Sequence, residues 1–249
     1  MRLAILLSIS LCLSACEGAS RADDTLPRDD QDEMRGFRER INEAERRLGS
    51  DGADLRAEWE REHQAAMEKE RQLESKVDRL HKAMLAFVSE HEHLGAAGAA
   101  RVDRIRNLEG LANLLVREIN DRVSRGEWVP LDEDKAPAFL ASVAFYEYSW
   151  NWRNSNITGS RGERCMFQVA PSSIPQTGFT EDQVARDPRA CLTAAIYWMK
   201  TVAERCGDTP AEGWLGAYAT GGICGGAPDV VKMRFDMTRW LLRSIDAQS

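Results

Sequence analysis

Residues 59–87, WEREHQAAMEKERQLESKVDRLHKAMLAF, contain two series of residues that each recur every seven positions and would line one side of a helix, here called its seam. The first set of seam positions is Trp59, Ala66, Leu73, Leu80 and Phe87, and the second is His63, Glu70, Val77 and Met84. Such a repeat is typical of a helix that packs along one seam against another helix. The seam is polar early and apolar late, and Glu70 would be costly to bury without a partner. The pattern therefore favours a helical hairpin or a weak oligomer over a tight independent coiled coil.

Further helical stripes lie on both sides of this segment. Upstream, apolar residues recur at spacings of three and four over Met34–Leu48, and Gly49, Ser50, Asp51 and Gly52 are expected to end that helix. Downstream, residues 94–98 form a break, after which a second stripe reaches about Ser124 through Val102, Ile105, Leu108, Ala112, Leu115 and Ile119. We predict a helical stalk or coiled-coil hairpin over residues 33–126. Its simplest role is that of a spacer, and self-association through it stays open.

The first residues have the composition of a secretory signal. A positive start at Arg2 is followed by the apolar run Leu3–Leu13, which is too short to span a bilayer. Leu13-Ser14-Ala15-Cys16 resembles the lipobox of bacterial lipoproteins, which implies cleavage before a lipidated Cys16. The alternative is an ordinary signal peptide with an incidental cysteine. We expect a signal peptide over residues 1–15 and a polar tether over 16–32, and Glu17 in place of the aspartate that retains such proteins implies the periplasmic face of the outer membrane.

Composition limits the classes of function. The chain has 249 residues, a net charge of −7 and four histidines, which argues against nucleic acid as a partner and predicts neither a metal cluster nor a cofactor. Four cysteines lie in the last third of the chain, and in an exported protein they indicate disulfides. Three pairings are open, and we predict that Cys165 pairs with Cys191 and Cys206 with Cys224.

Past Gly126 the heptad pattern ends, and we predict a separate domain over residues 127–249. In a helix beginning near Ala136, the apolar stripe Leu140, Val143, Ala144 has Glu147 as its next position. Aromatic neighbours surround this carboxyl group, and its burial should raise its pKa so that it can donate a proton near neutral pH. The alternative is a buried ion pair of Glu147 with a basic residue such as Arg153 or Arg161.

Three motifs in this region resemble those of the soluble lytic transglycosylase and goose-type lysozyme superfamily. The sequence GERCMFQVAP at residues 162–171 resembles the signature G-A-x-G-L-M-Q-I-x-P. Glu147 with Trp150 resembles the E-S-x-F motif, and AYATG at residues 217–221 resembles A-Y-N-A-G. The order of the three motifs agrees with that of the superfamily, and the resemblance does not extend to the predicted stalk.

The resemblance implies an all-α fold with a lysozyme-like helical domain that cleaves the glycan strands of peptidoglycan. Glu147 would act as acid and then base between N-acetylmuramic acid and N-acetylglucosamine, forming 1,6-anhydromuramyl ends. It also implies that the substrate-binding residues are Trp150, Phe167, Gln168 and Tyr218.

Several residues depart from the superfamily pattern. Tyr148 stands in place of its serine, Cys165 of a glycine, Phe167 of a methionine and Ala219 of an asparagine. Three alternatives therefore stay open. One is a catalytically impaired module that binds peptidoglycan or an envelope partner, and another is a structural lipoprotein in which Glu147 is only an internal ion pair. The third is muramidase hydrolysis with a second carboxylate, for which the candidates are Glu163, Asp182 and Asp187.

Overall fold

The fold is all-α over the residues that the computed structural model describes, which are 50–91, 99–148, 150, 159, 162–207 and 211–248. Within these ranges there is no strand, and a single isolated bridge joins Arg164 and Val169. The helices are α1 (Ser50–Glu90), α2 (Ala99–Ser124), α3 (Ala136–Tyr148), α4 (Glu181–Arg186), α5 (Pro188–Cys206), α6 (Ala211–Thr220) and α7 (Pro228–Asp246). Two short 3-10 turns, Pro171–Ser173 and Pro175–Thr177, precede α4.

Three of the four residues expected to end the upstream helix, Ser50, Asp51 and Gly52, are helical and belong to α1, and the fourth, Gly49, lies outside the described residues. The predicted signal peptide, Cys16, the tether and the stripe at Met34–Leu48 lie outside the described residues, as does the break at 94–98. By its contacts the chain divides into two compact units, Met1–Glu68 and Lys69–Ser249.

The second unit has an apolar core to which every one of its described helices contributes. Its members from α1 include the late seam positions of the heptad repeat, Leu73, Leu80, Met84 and Phe87, together with Ala83 and Val88. The stripe predicted on α2 is buried too, at Leu108, Ala112, Leu115 and Ile119. Glu70, the costly seam position, is paired with Arg117 of α2 in two hydrogen bonds. The core therefore continues across the boundary predicted near Gly126, and buried residues of α1 and α2 belong to the same core as those of the C-terminal helices.

Helix α3 lies at the centre of this unit. Nearly every residue from Ala136 to Phe145 is buried, so the helix has no solvent-facing side over most of its length. A helix that is apolar on all sides is typically buried on all sides. The sequence predicts only a narrow buried stripe on α3, and the buried surface is wider than that. The buried hydroxyl groups of Ser142 and Thr238 hydrogen bond at 2.8 Å and join α3 to α7.

The helix ends and two disulfides fix the C-terminal segments. Pro188 and Pro228 occupy the first positions of α5 and α7, where a missing N–H is tolerated. The predicted pairing of cysteines is confirmed. Cys165–Cys191 joins the segment before the 3-10 turns to α5, and Cys206–Cys224 joins the end of α5 to the loop after α6. Over the described residues, none of the helices combines the length and apolar character needed to cross a bilayer.

Candidate active site

Glu147 lies in the last turn of α3, and its side chain is only 17% exposed. Its Oε1 accepts a hydrogen bond from Nη2 of Arg234 on α7. Burial raises the pKa of Glu147, the positive charge of Arg234 opposes this rise, and the charge of Glu163 adds to it. Both the proton-donor role and the ion-pair alternative foreseen for this carboxyl group thus have a physical basis in the structure.

Arg234 is the partner that sequence reasoning missed. It is 3% exposed, and it lies on the buried face of α7 with Val231, Thr238 and Leu241. Its Nε and Nη1 atoms are buried without a hydrogen-bond partner, so its contact with Glu147 is the main compensation for a buried charge. Arg153 and Arg161, the partners suggested from the sequence, lie outside the described residues.

Residues 162–169 form a tight turn beside Glu147. The backbone N–H groups of Arg164 and Val169 each donate to the other residue's carbonyl oxygen at 2.9 Å. The turn contains positive φ values at Gly162 (85°), Cys165 (63°) and Gln168 (51°). Positive φ is strained for a residue with a side chain, and such strain concentrates at functional sites. The turn is pinned by the disulfide of Cys165 and by the Gln168 side chain, whose Nε2 donates to Cys165 O at 2.8 Å.

Gly159 allows two side chains of this turn to approach the backbone. A Cβ atom at position 159 would lie 2.3 Å from Gln168 Oε1 and 2.4 Å from Glu163 Oε2. Both distances are below any normal contact, so a larger residue would displace both side-chain ends. Gly159 therefore leaves the space in which the Glu163 carboxylate lies.

Tyr218 of α6 joins this group from the other side. Its hydroxyl group donates a 2.6 Å hydrogen bond to Phe167 O, and both residues are buried. Burial raises the pKa of Tyr218 well above its usual range, and the nearby charge of Glu147 adds to the effect. Tyr218 therefore stays neutral and holds the turn. Phe167 is fully buried, which corrects the expectation that its side chain binds substrate, and Tyr218 is nearly so, whereas the half-buried Gln168 remains partly open to solvent.

Trp150 is a core residue in this structure, and this corrects the expectation that it binds substrate. Helix α3 ends at Tyr148, and Trp150 has a positive φ of 59°. The indole is fully buried between Phe87 and Phe145, and its Nε1 donates to Ala141 O at 2.6 Å. No face of the ring is available to a sugar.

Of the three candidates for a second carboxylate, Glu163 is the one whose charge acts on Glu147. Asp182 forms an exposed ion pair with Arg186 on α4. Asp187 caps α5 by accepting a hydrogen bond from the N–H of Arg189 at 2.8 Å. Both aspartates thus have structural roles at the surface.

Within the described ranges no group of histidine, cysteine, aspartate and glutamate side chains could hold a metal ion. A scan against known protein families, a search of curated proteins and a search of solved structures each find no match to this chain. Function is therefore inferred from the residues around Glu147.

Proposed function

We propose that this chain cleaves the bond between N-acetylmuramic acid and N-acetylglucosamine in peptidoglycan, with Glu147 as acid and then base. The observation that carries the proposal is the convergence of three separate segments on one largely buried carboxyl group. Glu163 from the turn and Tyr218 from α6 both lie within electrostatic range of Glu147 at the end of α3. These are the three segments that resemble lytic transglycosylase motifs.

The backbone of the turn gives further support. The signature that residues 162–171 resemble has glycine at the positions of Gly162 and Cys165. The φ values there are 85° and 63°, in the left-handed region that glycine adopts most readily. Cys165 thus keeps the conformation of a glycine position, and its disulfide to Cys191 supplies a constraint that holds it there.

The chemistry follows from the environment of Glu147. A carboxyl group whose pKa is raised by burial stays protonated up to pH values closer to neutral. It can therefore donate its proton to the glycosidic oxygen. The acetamido group of the substrate would stabilise the positive sugar carbon, and Glu147 would then accept the proton of the muramyl C6 hydroxyl group. The bond formed is a 1,6-anhydro linkage. If water attacked instead, Glu163, whose charge acts on Glu147, would be the candidate carboxylate to assist it, and the product would be a reducing end.

The test is to incubate the full protein, in detergent, with isolated sacculi and to identify released fragments by mass spectrometry. Fragments with 1,6-anhydromuramic acid ends are expected from the wild type and should be absent with Glu147→Gln. Glu204→Gln, at an exposed position of α5, is the matched control and should retain release. Reducing ends in place of anhydro ends would identify hydrolysis, and no release from the wild type would refute cleavage.

A second candidate function is a module that binds glycan without cleaving it. The ion pair between Glu147 and Arg234 favours this alternative, since a paired carboxylate is a poor acid. Under it, the wild type would co-sediment with sacculi and release nothing, and Glu147→Gln would bind equally well.

The proposed activity needs the cell envelope, and the lipid anchor proposed at Cys16 would place it there. A spacer between membrane and wall would then be supplied by the segment that follows Cys16. Cys16→Ala should move the protein from the membrane fraction to the soluble fraction, and an unchanged distribution would contradict anchoring.

A further inference from the structure

Arg234 binds the carboxyl group of Glu147 through a single nitrogen atom. Its Nη2 donates to Oε1, and among the described side chains Arg234 is the one that hydrogen-bonds to this carboxyl group. An arginine frequently binds a carboxylate with two parallel N–H groups, which here would need Nε or Nη1 beside Nη2. Both of those nitrogen atoms are buried without a hydrogen-bond partner. The contact is therefore made to one oxygen only, and Oε2 takes no part in it.

A contact to one oxygen is compatible with a protonated carboxyl group. A carboxylic acid has a hydroxyl oxygen and a carbonyl oxygen, and the carbonyl oxygen still accepts hydrogen bonds. A guanidinium that bound both oxygens would need both of them as acceptors, so it would exclude the proton. The arrangement at Glu147 lets Arg234 bind Oε1 in the acid form and in the ionised form alike.

The position of Arg234 is fixed by the packing of α7 on α3. Its side chain is 3% exposed, and its carbonyl oxygen accepts a 2.8 Å hydrogen bond from the hydroxyl group of Thr238. The Thr238 hydroxyl group is in turn 2.8 Å from that of Ser142 on α3. The contacts Ser142–Thr238 and Glu147–Arg234 lie about one helical turn apart on each helix. The guanidinium is thus presented to Glu147 by a buried interface that has two polar contacts.

Fixing one oxygen matters because the end of a glutamate side chain otherwise has a broad range of orientations. A free carboxyl group could carry its proton on either oxygen and point it in many directions. A displacement of about 1 Å between reacting groups can lower a rate about 100-fold. A general acid therefore gains from a partner that holds the oxygen that does not carry the proton.

We propose that Arg234 is a positioning residue that holds Oε1 of Glu147 and thereby assigns the catalytic proton to Oε2. This rests on the proposed glycan cleavage by Glu147. The proton passes from Oε2 to the glycosidic oxygen as the bond between that oxygen and the muramyl C1 breaks. Glu147 is left as a carboxylate whose Oε1 still accepts from Arg234. When the muramyl C6 oxygen bonds to C1, its proton passes to Oε2, and Arg234 needs no contact with the substrate.

The direct test is neutron diffraction from crystals of the wild-type protein in D₂O at acid pH, where Glu147 is protonated. We expect a deuteron bonded to Oε2 and a deuteron of Arg234 Nη2 directed at Oε1. A deuteron on Oε1, or a guanidinium that binds both oxygens, would overturn the inference. This measurement needs neither a variant that folds nor an active enzyme.

The second test separates positioning from stability by measuring kcat and KM for cleavage of soluble glycan strands by the full protein in detergent. Arg234→Met removes every donor and should lower kcat roughly 100-fold, with KM changed less than about twofold. Arg234→Lys retains one donor group and should recover at least about a tenth of the wild-type kcat. Arg239→Met, at an exposed position of α7, is the matched control and should keep the wild-type kcat. Near-UV circular dichroism would establish that each variant is folded.

The outcomes separate this inference from the proposed function. A wild-type kcat in folded Arg234→Met, or equal losses of kcat in the Met and Lys variants, would overturn the inference and leave glycan cleavage intact. If Arg234→Met does not fold, the position of the deuteron decides. A wild type that carries the deuteron on Oε2 but releases no fragments would overturn the proposed function instead.

Discussion

Removing the hydroxyl group of Tyr218 tests whether α6 holds the turn at residues 162–169. This group donates a 2.6 Å hydrogen bond to Phe167 O between two buried residues. The change Tyr218→Phe keeps the ring and removes the donor, so a buried carbonyl oxygen loses this partner. The turn should loosen, because its link to α6 is then lost.

The size of the effect follows from the burial of both groups. Leaving a buried acceptor unsatisfied costs about 1–3 kcal/mol. For a folded unit of the size of Lys69–Ser249, each kcal/mol corresponds to a fall in Tm of about 2–4 °C. Tyr218→Phe should therefore lower the Tm by roughly 2–12 °C.

Thermal and urea unfolding, followed by circular dichroism with the disulfides oxidised, would measure this loss. Tyr197→Phe is the matched control, since its hydroxyl forms only a long, exposed contact of 3.4 Å with Gln176 Oε1. It should change the free energy of unfolding by less than about 0.5 kcal/mol. If the two variants were equally stable, the disulfide of Cys165 would suffice to hold the turn, and the role given to Tyr218 would be refuted.

Three further predictions concern the core, a disulfide and pH. Leu80→Ala, at a residue only 1% exposed, should lower the free energy of unfolding by about 2–5 kcal/mol in urea. Met67→Ala, at 58% exposure, should change it by less than about 0.5 kcal/mol, and equal losses would contradict the assignment of late α1 to the core. Replacing Cys206 and Cys224 together by serine opens a loop of 18 residues and should cost about 3 kcal/mol, again by urea unfolding, whereas an unchanged midpoint would count against it. Burial raises the pKa of Glu147, so its proton is bound more tightly in the folded state. The resulting stabilisation is full below the unfolded pKa and is lost as pH rises through the folded pKa. The wild type should therefore lose stability relative to Glu147→Gln across that rise in a pH series, and a constant difference would contradict the sign.

The helices were predictable because periodic burial leaves a local signal in the sequence. The stripes of α1 and α2 and the start of α3 follow from residue spacing alone. The identity of the helices against which such a stripe packs leaves no local signal in the sequence. The heptad of Leu73, Leu80 and Phe87 predicted a partner helix, but it could not reveal that the partners include the C-terminal helices.

The partner of Glu147 was missed for a related reason. Arg153 and Arg161 lie close to Glu147 in sequence, whereas Arg234 is 87 positions away and meets Glu147 only through the packing of α3 on α7. A usable signal did exist. Arg234 occupies the apolar stripe of α7 with Val231, Thr238 and Leu241, so the reasoning that singled out Glu147 applies equally to it.

For Trp150, closeness to Glu147 in sequence led to a wrong prediction of its role. Its closeness to Glu147 in sequence suggested a shared binding surface. Just past the end of α3, Trp150 has a positive φ and a fully buried side chain, and nothing in the local composition predicts that conformation.

The two disulfides also bear on how the chain matures. The four C-terminal cysteines are bonded in sequence order, the first to the second (Cys165–Cys191) and the third to the fourth (Cys206–Cys224), and the two loops neither nest nor cross. If these cysteines reach an oxidising compartment in order from the N-terminus, the first thiol that each can meet within the set is its native partner. Oxidation in order of emergence therefore yields the correct bonds, and we expect maturation of this region to depend on a thiol oxidant rather than on a disulfide isomerase.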